Sequence, residues 1–334
     1  MSNIELFCEA IKERLHSAEC RSFSGKVECI TALFEAIQLG TKDCVYVSAL
    51  APGYIVRAII ACGAVPVFCD VSADGFVIDH KALAEAVRQT ANEDKLYPRA
   101  VIAEHFCGLP FSIRAVKEIC DRMGLFLIED CGSGFGCRWD GVECGGFGDY
   151  SLISLGGSSV FGTGGSGCLI TANGANEFRS LIGVCDGSGW DTADEIYGKS
   201  LLASLKKMPQ TLDGAEKALA EINEMMKGSD FWLRRGGGRQ KSSCSATIVI
   251  AQSEADCDAA VAAFTSAGLS EYVKKLHVHR RACFEHSCRG FKTLDNASAL
   301  APRAFSVDIF HAMHSGKILD LMKQLRFVAE EIHA

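Results

Sequence analysis

Through the first half of the chain, short apolar runs alternate with amphipathic stretches. That rhythm predicts alternating strands and helices. Residues 4–15 read as a helix, with Ile4, Phe7, Cys8, Ile11 and Leu15 at helical spacing. A second helix starts at Ser24 and Gly25, carries Val27, Ile30, Leu33, Phe34 and Ile37 on one face, and ends at Gly40. Residues 43–50 (DCVYVSAL) are a buried-strand candidate, and Pro52-Gly53 leads into a helix bearing Ile55, Val56, Ala58 and Ile59. The alternation continues with a strand over 65–71, a helix near 81–88, a strand over 100–105, a helix over 112–123 and a strand over 125–129. Two further apolar runs, 150–154 and 168–171, flank a Ser/Gly loop. This order indicates βαβ units and a largely parallel sheet covered on both faces.

Past Thr171 the pattern weakens. Residues 173–179 begin a helix, 183–200 (GVCDGSGWDTADEIYGKS) read as an irregular surface segment, and 212–226 read as a long helix. The basic, Gly-rich stretch from Arg234 (RRGGGRQKSS) reads as a solvated loop rather than a phosphate site. A compact unit follows: strand 246–251, helix 256–267, strand 304–309 and helix 317–332. The expected architecture is α/β. A large domain with a mostly parallel mixed sheet covers residues 1–180, with helices to 228, and a smaller α+β C-terminal domain covers 229–334.

Composition narrows the class. The 334 residues are 48% hydrophobic and 22% charged, with a formal net charge of −7, as in soluble globular proteins. That balance argues against a nucleic-acid partner, which calls for a basic face. No apolar run approaches the roughly 18–20 residues that span a bilayer. Acids interrupt the N-terminal MSNIELFCEAIKERL, so it starts an amphipathic helix and is no signal peptide. A cytoplasmic protein with no membrane partner is expected. Seventeen cysteines then indicate reduced thiols. Cys44, Cys69 and Cys168 sit in apolar runs as small hydrophobes. Cys131, Cys137 and Cys144 come closest to a ligand cluster, but no CxxC pair occurs, so buried thiols and no metal are expected.

The chemistry concentrates between 125 and 171. The strand at 125–129 delivers Glu129 and Asp130 at its end, and a Gly-rich turn follows. Open α/β sheets build ligand sites at such carboxyl edges. The Ser24-Gly25 turn opens a helix whose unpaired N–H groups favour an anion such as phosphate, although an ordinary N-cap has the same sequence. Glu129 points to the face opposite Asp130 and is expected to accept a hydrogen bond, and Asp149 reads as a turn carboxylate. Residues 162–167 (GTGGSG) precede a strand instead of following one, which excludes a dinucleotide fingerprint. His277, His279 and His286 lie among many cations and read as solvated surface or an anion patch.

An ordered set of segments resembles the DegT/StrS family of pyridoxal-phosphate-dependent sugar aminotransferases. The segments are SGKVECITALFEAIQLG, IVRAIIACGAVPVFCDV with FVID, AVIAEHFCGLP, LFLIEDCGSGFG and GGFGDYSLIS…GTGGSGCLIT, covering roughly residues 24–171. The resemblance implies the fold type I architecture of aspartate aminotransferase, a pyridoxal phosphate (PLP) or pyridoxamine phosphate (PMP) cofactor, a nucleotide-sugar substrate and a homodimer. Carried over, it places Gly25 and Lys26 at the cofactor phosphate, Asp130 at the protonated pyridine nitrogen, Ser133 where the family has glutamine, and Ser154 as a hydroxyl donor to the phosphate. Tyr54 is the nearest candidate for the aromatic that stacks on the ring.

One departure bears on activity. Five residues after Ser154 the family carries the lysine that forms the Schiff base, and here stands Ser159, with Gly156, Gly157, Ser158 and Val160 around it. Serine cannot form that bond and is a poor base near neutral pH. Three readings stay open. The chain binds the cofactor and uses another base, as family dehydratases use a histidine in the lysine's place; His105 is the candidate, although the resemblance matches it to a histidine of ordinary members, which favours a structural role. Alternatively it is a non-catalytic relative that serves as a binding or assembly subunit. In the third reading Lys26 or Lys199 enters the site, although phosphate neutralisation accounts better for Lys26 and surface exposure for Lys199.

Overall fold

The computed structural model describes residues 1–73, 76–92, 96–163, 165, 167–188, 195–227, 229, 232–233, 240–278, 289–290 and 294–332. Helix α1 (Asn3–Leu15) starts at Ser2, whose hydroxyl accepts the Glu5 N–H while the Glu5 carboxylate accepts the Ser2 N–H. Strand β1 (Glu19–Phe23) and helix α2 (Lys26–Ala36) follow. The alternation then runs β2 (Asp43–Ser48), α3 (Gly53–Ala61), β3 (Val65–Cys69), α4 (His80–Ala91), β4 (Tyr97–Glu104), α5 (Ile113–Met123) and β5 (Phe126–Asp130). Gly124 ends α5 at φ 65°, a left-handed cap that glycine adopts without strain. A two-residue hairpin, β6 (Arg138–Trp139) and β7 (Val142–Glu143), precedes β8 (Tyr150–Ser154) and β9 (Cys168–Ala172).

The large sheet has eight strands in the order β1-β9-β8-β5-β4-β2-β3 plus the short Arg289–Gly290 segment. Neighbours from β8 to that segment run parallel, while β9 is antiparallel to both β8 and β1. Both faces are buried, as the continuous apolar runs require. Val45 and Val47 of β2 pack with α2 and α3 on one face, while Cys44 and Tyr46 pack with α4 and α5 on the other. A third core joins α1, the inner sides of β8 and β9, and the C-terminal elements through Phe7, Ile153, Phe161, Met208 and Phe310.

After β9 come α6 (Ala175–Ser188) and the 31-residue α7 (Glu195–Met225). A four-stranded antiparallel sheet follows, ordered β10 (Trp232–Leu233), β12 (Ala246–Ile250), β15 (Ala304–Asp308) and β13 (Val273–Lys275). Helices α8 (Glu254–Ser266) and α9 (Asp295–Leu300) lie among these strands in sequence, and α10 (Ile309–His314) and α11 (Ile318–Glu331) follow β15. Strand β11 (Gln240–Lys241) pairs with β6 and extends the hairpin, and Arg289–Gly290 is β14. The C-terminal residues also serve the large sheet. Asp70, just after β3, accepts the N–H groups of Asn296 (2.9 Å) and Ala297 (2.8 Å) at the start of α9.

The expectation of irregular structure over 183–200 is corrected. Residues 183–188 continue α6 and 195–200 open α7, while 189–194 lie outside the described residues. Gly198 is a breaker by propensity, yet its lack of a side chain lets α7 press against the backbone of Asn3 and Ile4, where a Cβ would collide. Pro209 lies inside the helix, so the predicted helix at 212–226 is only its second half. The basic loop expected from Arg234 falls outside the described residues up to 239. No described helix is long and apolar enough to cross a membrane.

Candidate functional site

Parallel strands bring their C-terminal residues to one edge. Asp130 ends β5 at 2% exposure, and Glu104 ends β4 as its direct neighbour in register. Asp130 Oδ1 accepts the Gly132 N–H at 2.9 Å. A Cβ on Gly132 would lie 2.9 Å from that oxygen and 3.8 Å from Ser154 Cβ, so the missing side chain leaves Asp130 and Ser154 bordering one space. Ser154 is itself buried at the end of β8. Burial pushes the Asp130 carboxyl above its ordinary value, opposed by the Gly132 N–H and the Lys26 ammonium. Burial also pushes Glu104 well up, and the Asp130 charge adds to it. Burial, then the charge of Asp130, raises the Tyr54 phenol. Lys26 Nζ sits 5.7 Å from the centre of the Tyr54 ring. Four groups predicted from four segments therefore meet: Lys26, Tyr54, Asp130 and Ser154. Glu104 joins them unpredicted, although its place one residue before His105 at the end of a strand was a usable signal.

The start of α2 supplies the anion-binding end. Gly25 is the N-cap in an extended conformation (φ −149°, ψ 164°), and among the described residues no side chain caps the first turn. The free N–H groups and the helix dipole favour negative charge there. Glu28 already exploits this: its carboxylate leans over Gly25, where it would touch any added Cβ. Sequence patterning did not expose that contact.

The loop after β8 ties Ser159 into its own turn. Its side chain is 1% exposed, and Oγ donates to Gly156 O at 2.7 Å while accepting the Phe161 N–H at 3.3 Å. Phe161 anchors the turn by stacking on Phe135 at 5.5 Å and meeting Phe7 edge-on at 5.3 Å. Gly162, at φ 59°, presses against the His314 ring, and the Tyr197 hydroxyl bonds Thr163 Oγ1 at 2.6 Å. The Ser159 hydroxyl thus serves its own turn.

His105 is fully buried. Its Nε2 donates to Glu129 Oε2 at 3.0 Å, and its ring stacks on Phe111 with centroids 4.6 Å apart. Glu129 accepts three backbone N–H groups as well, from Gly145 (2.9 Å), Phe147 (2.7 Å) and Gly148 (2.7 Å), which fulfils the expected acceptor role. Burial opposes ionisation of Glu129, yet His105 and these donors hold its carboxyl below the ordinary value. Asp149 accepts the Leu127 N–H at 2.7 Å. Ser133 is half-buried three residues beyond Asp130, Lys199 is exposed on α7 and His277 is exposed, while His279 and His286 lie outside the described residues.

The model of the DegT/DnrJ/EryC1/StrS aminotransferase family matches residues 2–326. The chain is 33% identical over 118 residues to GDP-perosamine synthase of Vibrio cholerae, covering 35% of this chain and 30% of that protein. It is 25% identical over 229 residues to UDP-N-acetyl-3-dehydro-alpha-D-glucosamine 3-aminotransferase of Acidithiobacillus ferrooxidans, covering 65% of this chain and 59% of that one. These matches span less than two thirds of either relative's length. A crystal structure of a DegT DnrJ EryC1 StrS aminotransferase from Brucella abortus superposes with a TM-score of 0.86 at 20% identity, over 98% of this chain and 91% of that one. That likeness shows that this chain shares the fold of the Brucella abortus aminotransferase. The chain belongs to the DegT/DnrJ/EryC1/StrS aminotransferase family.

Proposed function

We propose that this protein binds PMP or PLP at the carboxyl edge of its large sheet and acts on a sugar or nucleotide sugar without the usual lysine. The observation that carries this reading is the pair Asp130 and Glu104, two carboxylates side by side with the Lys26 ammonium as a neighbouring cation. A buried acid lifted above its ordinary value gains most from a cationic partner, and a protonated pyridine nitrogen is one. The uncapped start of α2 and the Ser154 hydroxyl fit the phosphate.

In this reading Asp130 fixes the charge on the ring nitrogen, Gly25 and Lys26 hold the phosphate end, and Tyr54 covers one side. The cofactor, when bound, supplies an electron sink for charge developing on the carbon attached to its amine. Ser159 takes no part, because its hydroxyl is spent inside its turn. The names of the relatives support a nucleotide-sugar substrate, and the family resemblance supports a homodimer.

A second reading, a non-catalytic binding or assembly subunit, is favoured by the Glu28 carboxylate lying where phosphate would sit. Titrating the purified chain with PMP and PLP separately, followed by borohydride treatment, distinguishes the two. Saturable PMP binding without a borohydride-fixed PLP adduct is the expected result. Failure of both ligands to bind supports the second reading, and a fixed adduct on a lysine overturns the lysine-free site.

A further inference from the structure

One residue beyond Glu104 and Asp130 on their strands, His105 and Cys131 belong to a gathering of three thiols around one imidazole inside the core. His105 follows β4, Cys131 follows β5, and Cys137 and Cys144 stand at the two feet of the β6–β7 hairpin, where the Cys144 N–H donates to Cys137 O at 3.0 Å. All four side chains are fully buried. A ring nitrogen of His105 and the sulfurs of Cys137 and Cys144 lie within 4.8 Å of one another. His105 forms a second such group with Glu129 and Cys131. Cys131 Sγ also lies 3.3 Å from the place a Cβ would take on Gly145, the residue after Cys144, so the third thiol borders the hairpin foot.

The hydrogen bonds around the imidazole fix its state. Glu129 accepts every bond it makes, so Nε2 must carry the hydrogen shared with it at 3.0 Å. With the ring neutral, a lone pair is left at Nδ1, and among the described residues that buried nitrogen has no hydrogen-bond partner of good geometry. Buried polar atoms are nearly always satisfied, so an orphan of this kind calls for an explanation. A histidine whose far nitrogen donates to a carboxylate is the arrangement that orients metal ligands. One histidine with three cysteines is a known donor set for a closed, tetrahedral zinc site. With metal–sulfur bonds of about 2.3 Å, sulfurs in such a site stand about 3.8 Å apart, so drawing Cys137 and Cys144 together takes shifts of about 1 Å or less. Cys131, grouped with the same imidazole and bordering the hairpin foot, is the remaining thiol donor.

We propose that His105, Cys131, Cys137 and Cys144 form a buried structural site for a thiophilic divalent cation, zinc by its donor chemistry. Binding exchanges thiol protons for metal–sulfur bonds and changes no oxidation state. The site would clamp the hairpin to the ends of β4 and β5, and it stands independently of any cofactor at Asp130.

The test uses the full chain purified under reducing conditions without chelator. Elemental analysis is expected to find near one zinc per chain, lost in Cys137→Ala/Cys144→Ala and kept in Cys62→Ala. Cobalt(II) exchange should give intense thiolate-to-metal absorption in the intact chain and none in the double variant. Should the double variant fail to fold, alkylation of the intact chain decides: Cys137 and Cys144 should react only after a strong chelator has removed the metal. Absence of bound metal with cobalt spectroscopically silent overturns the proposal. So do full zinc retention in the double variant, iron with acid-labile sulfide in place of zinc, and a Cys137–Cys144 disulfide in the freshly purified protein.

Discussion

Replacing Asp130 with asparagine should strengthen the ligand-free protein while abolishing its response to PMP. Asp130 and Glu104 end adjacent parallel strands, which lie about 4.8 Å apart. Two unit charges about 5 Å apart at an effective dielectric of about 20 repel by roughly 3 kcal/mol. Lys26 offsets part of this, so Asp130→Asn should gain about 1–2 kcal/mol at neutral pH. The asparagine oxygen can still accept the Gly132 N–H, so little is lost locally. The pH dependence has a definite sign. Both carboxyls titrate higher folded than unfolded, so the wild type is penalised least when both are protonated and loses stability as pH rises through their raised values. The advantage of the variant should therefore vanish below the ordinary carboxylate range, grow as pH rises, and then level off. Denaturant melts across pH, with and without PMP, read both effects, with at least a tenfold loss of PMP affinity, about 1.4 kcal/mol, as the expected result. A variant less stable than wild type at neutral pH, or one that PMP stabilises equally, refutes the reasoning.

Three other outcomes follow from the geometry. Ser159→Ala should cost about 1–2 kcal/mol, because it strips hydrogen bonds from the buried turn, and should leave PMP affinity unchanged in the same titration. Glu28→Gln should tighten binding of a phosphate-bearing ligand roughly two- to fivefold by removing about 0.3–1 kcal/mol of competing charge at the start of α2, as calorimetry would measure. Glu129→Ala should destabilise the fold by about 3–5 kcal/mol, since it leaves His105 and the backbone of Gly145, Phe147 and Gly148 without their acceptor; equilibrium unfolding provides the check.

Much of the large sheet was legible because its strands are buried on both faces, so β2, β4 and β5 appear as unbroken apolar runs between helical stretches. Asp130 could be located for the same reason, since a strand's end fixes the sheet edge, whereas the family resemblance singled out Ser154. What local pattern could not carry was anything decided by a distant partner. The first half of α7 reads as a loop because Gly198 and Pro209 disfavour helix in isolation, and only the close approach to α1 explains the glycine. Glu28 looks like an ordinary first-turn acid until its carboxylate is seen over Gly25. Cys131, Cys137 and Cys144 lack metal-binding spacing, and the imidazole that gives them meaning arrives from β4.

The outermost strand of the large sheet and the partners of Asp70 are both drawn from residues beyond 288. As the chain is synthesised, β3 therefore remains an open edge until residues beyond 288 have left the ribosome, and open edges recruit foreign strands. The nascent N-terminal half should accordingly depend on chaperones for longer than a sheet closed by local sequence would.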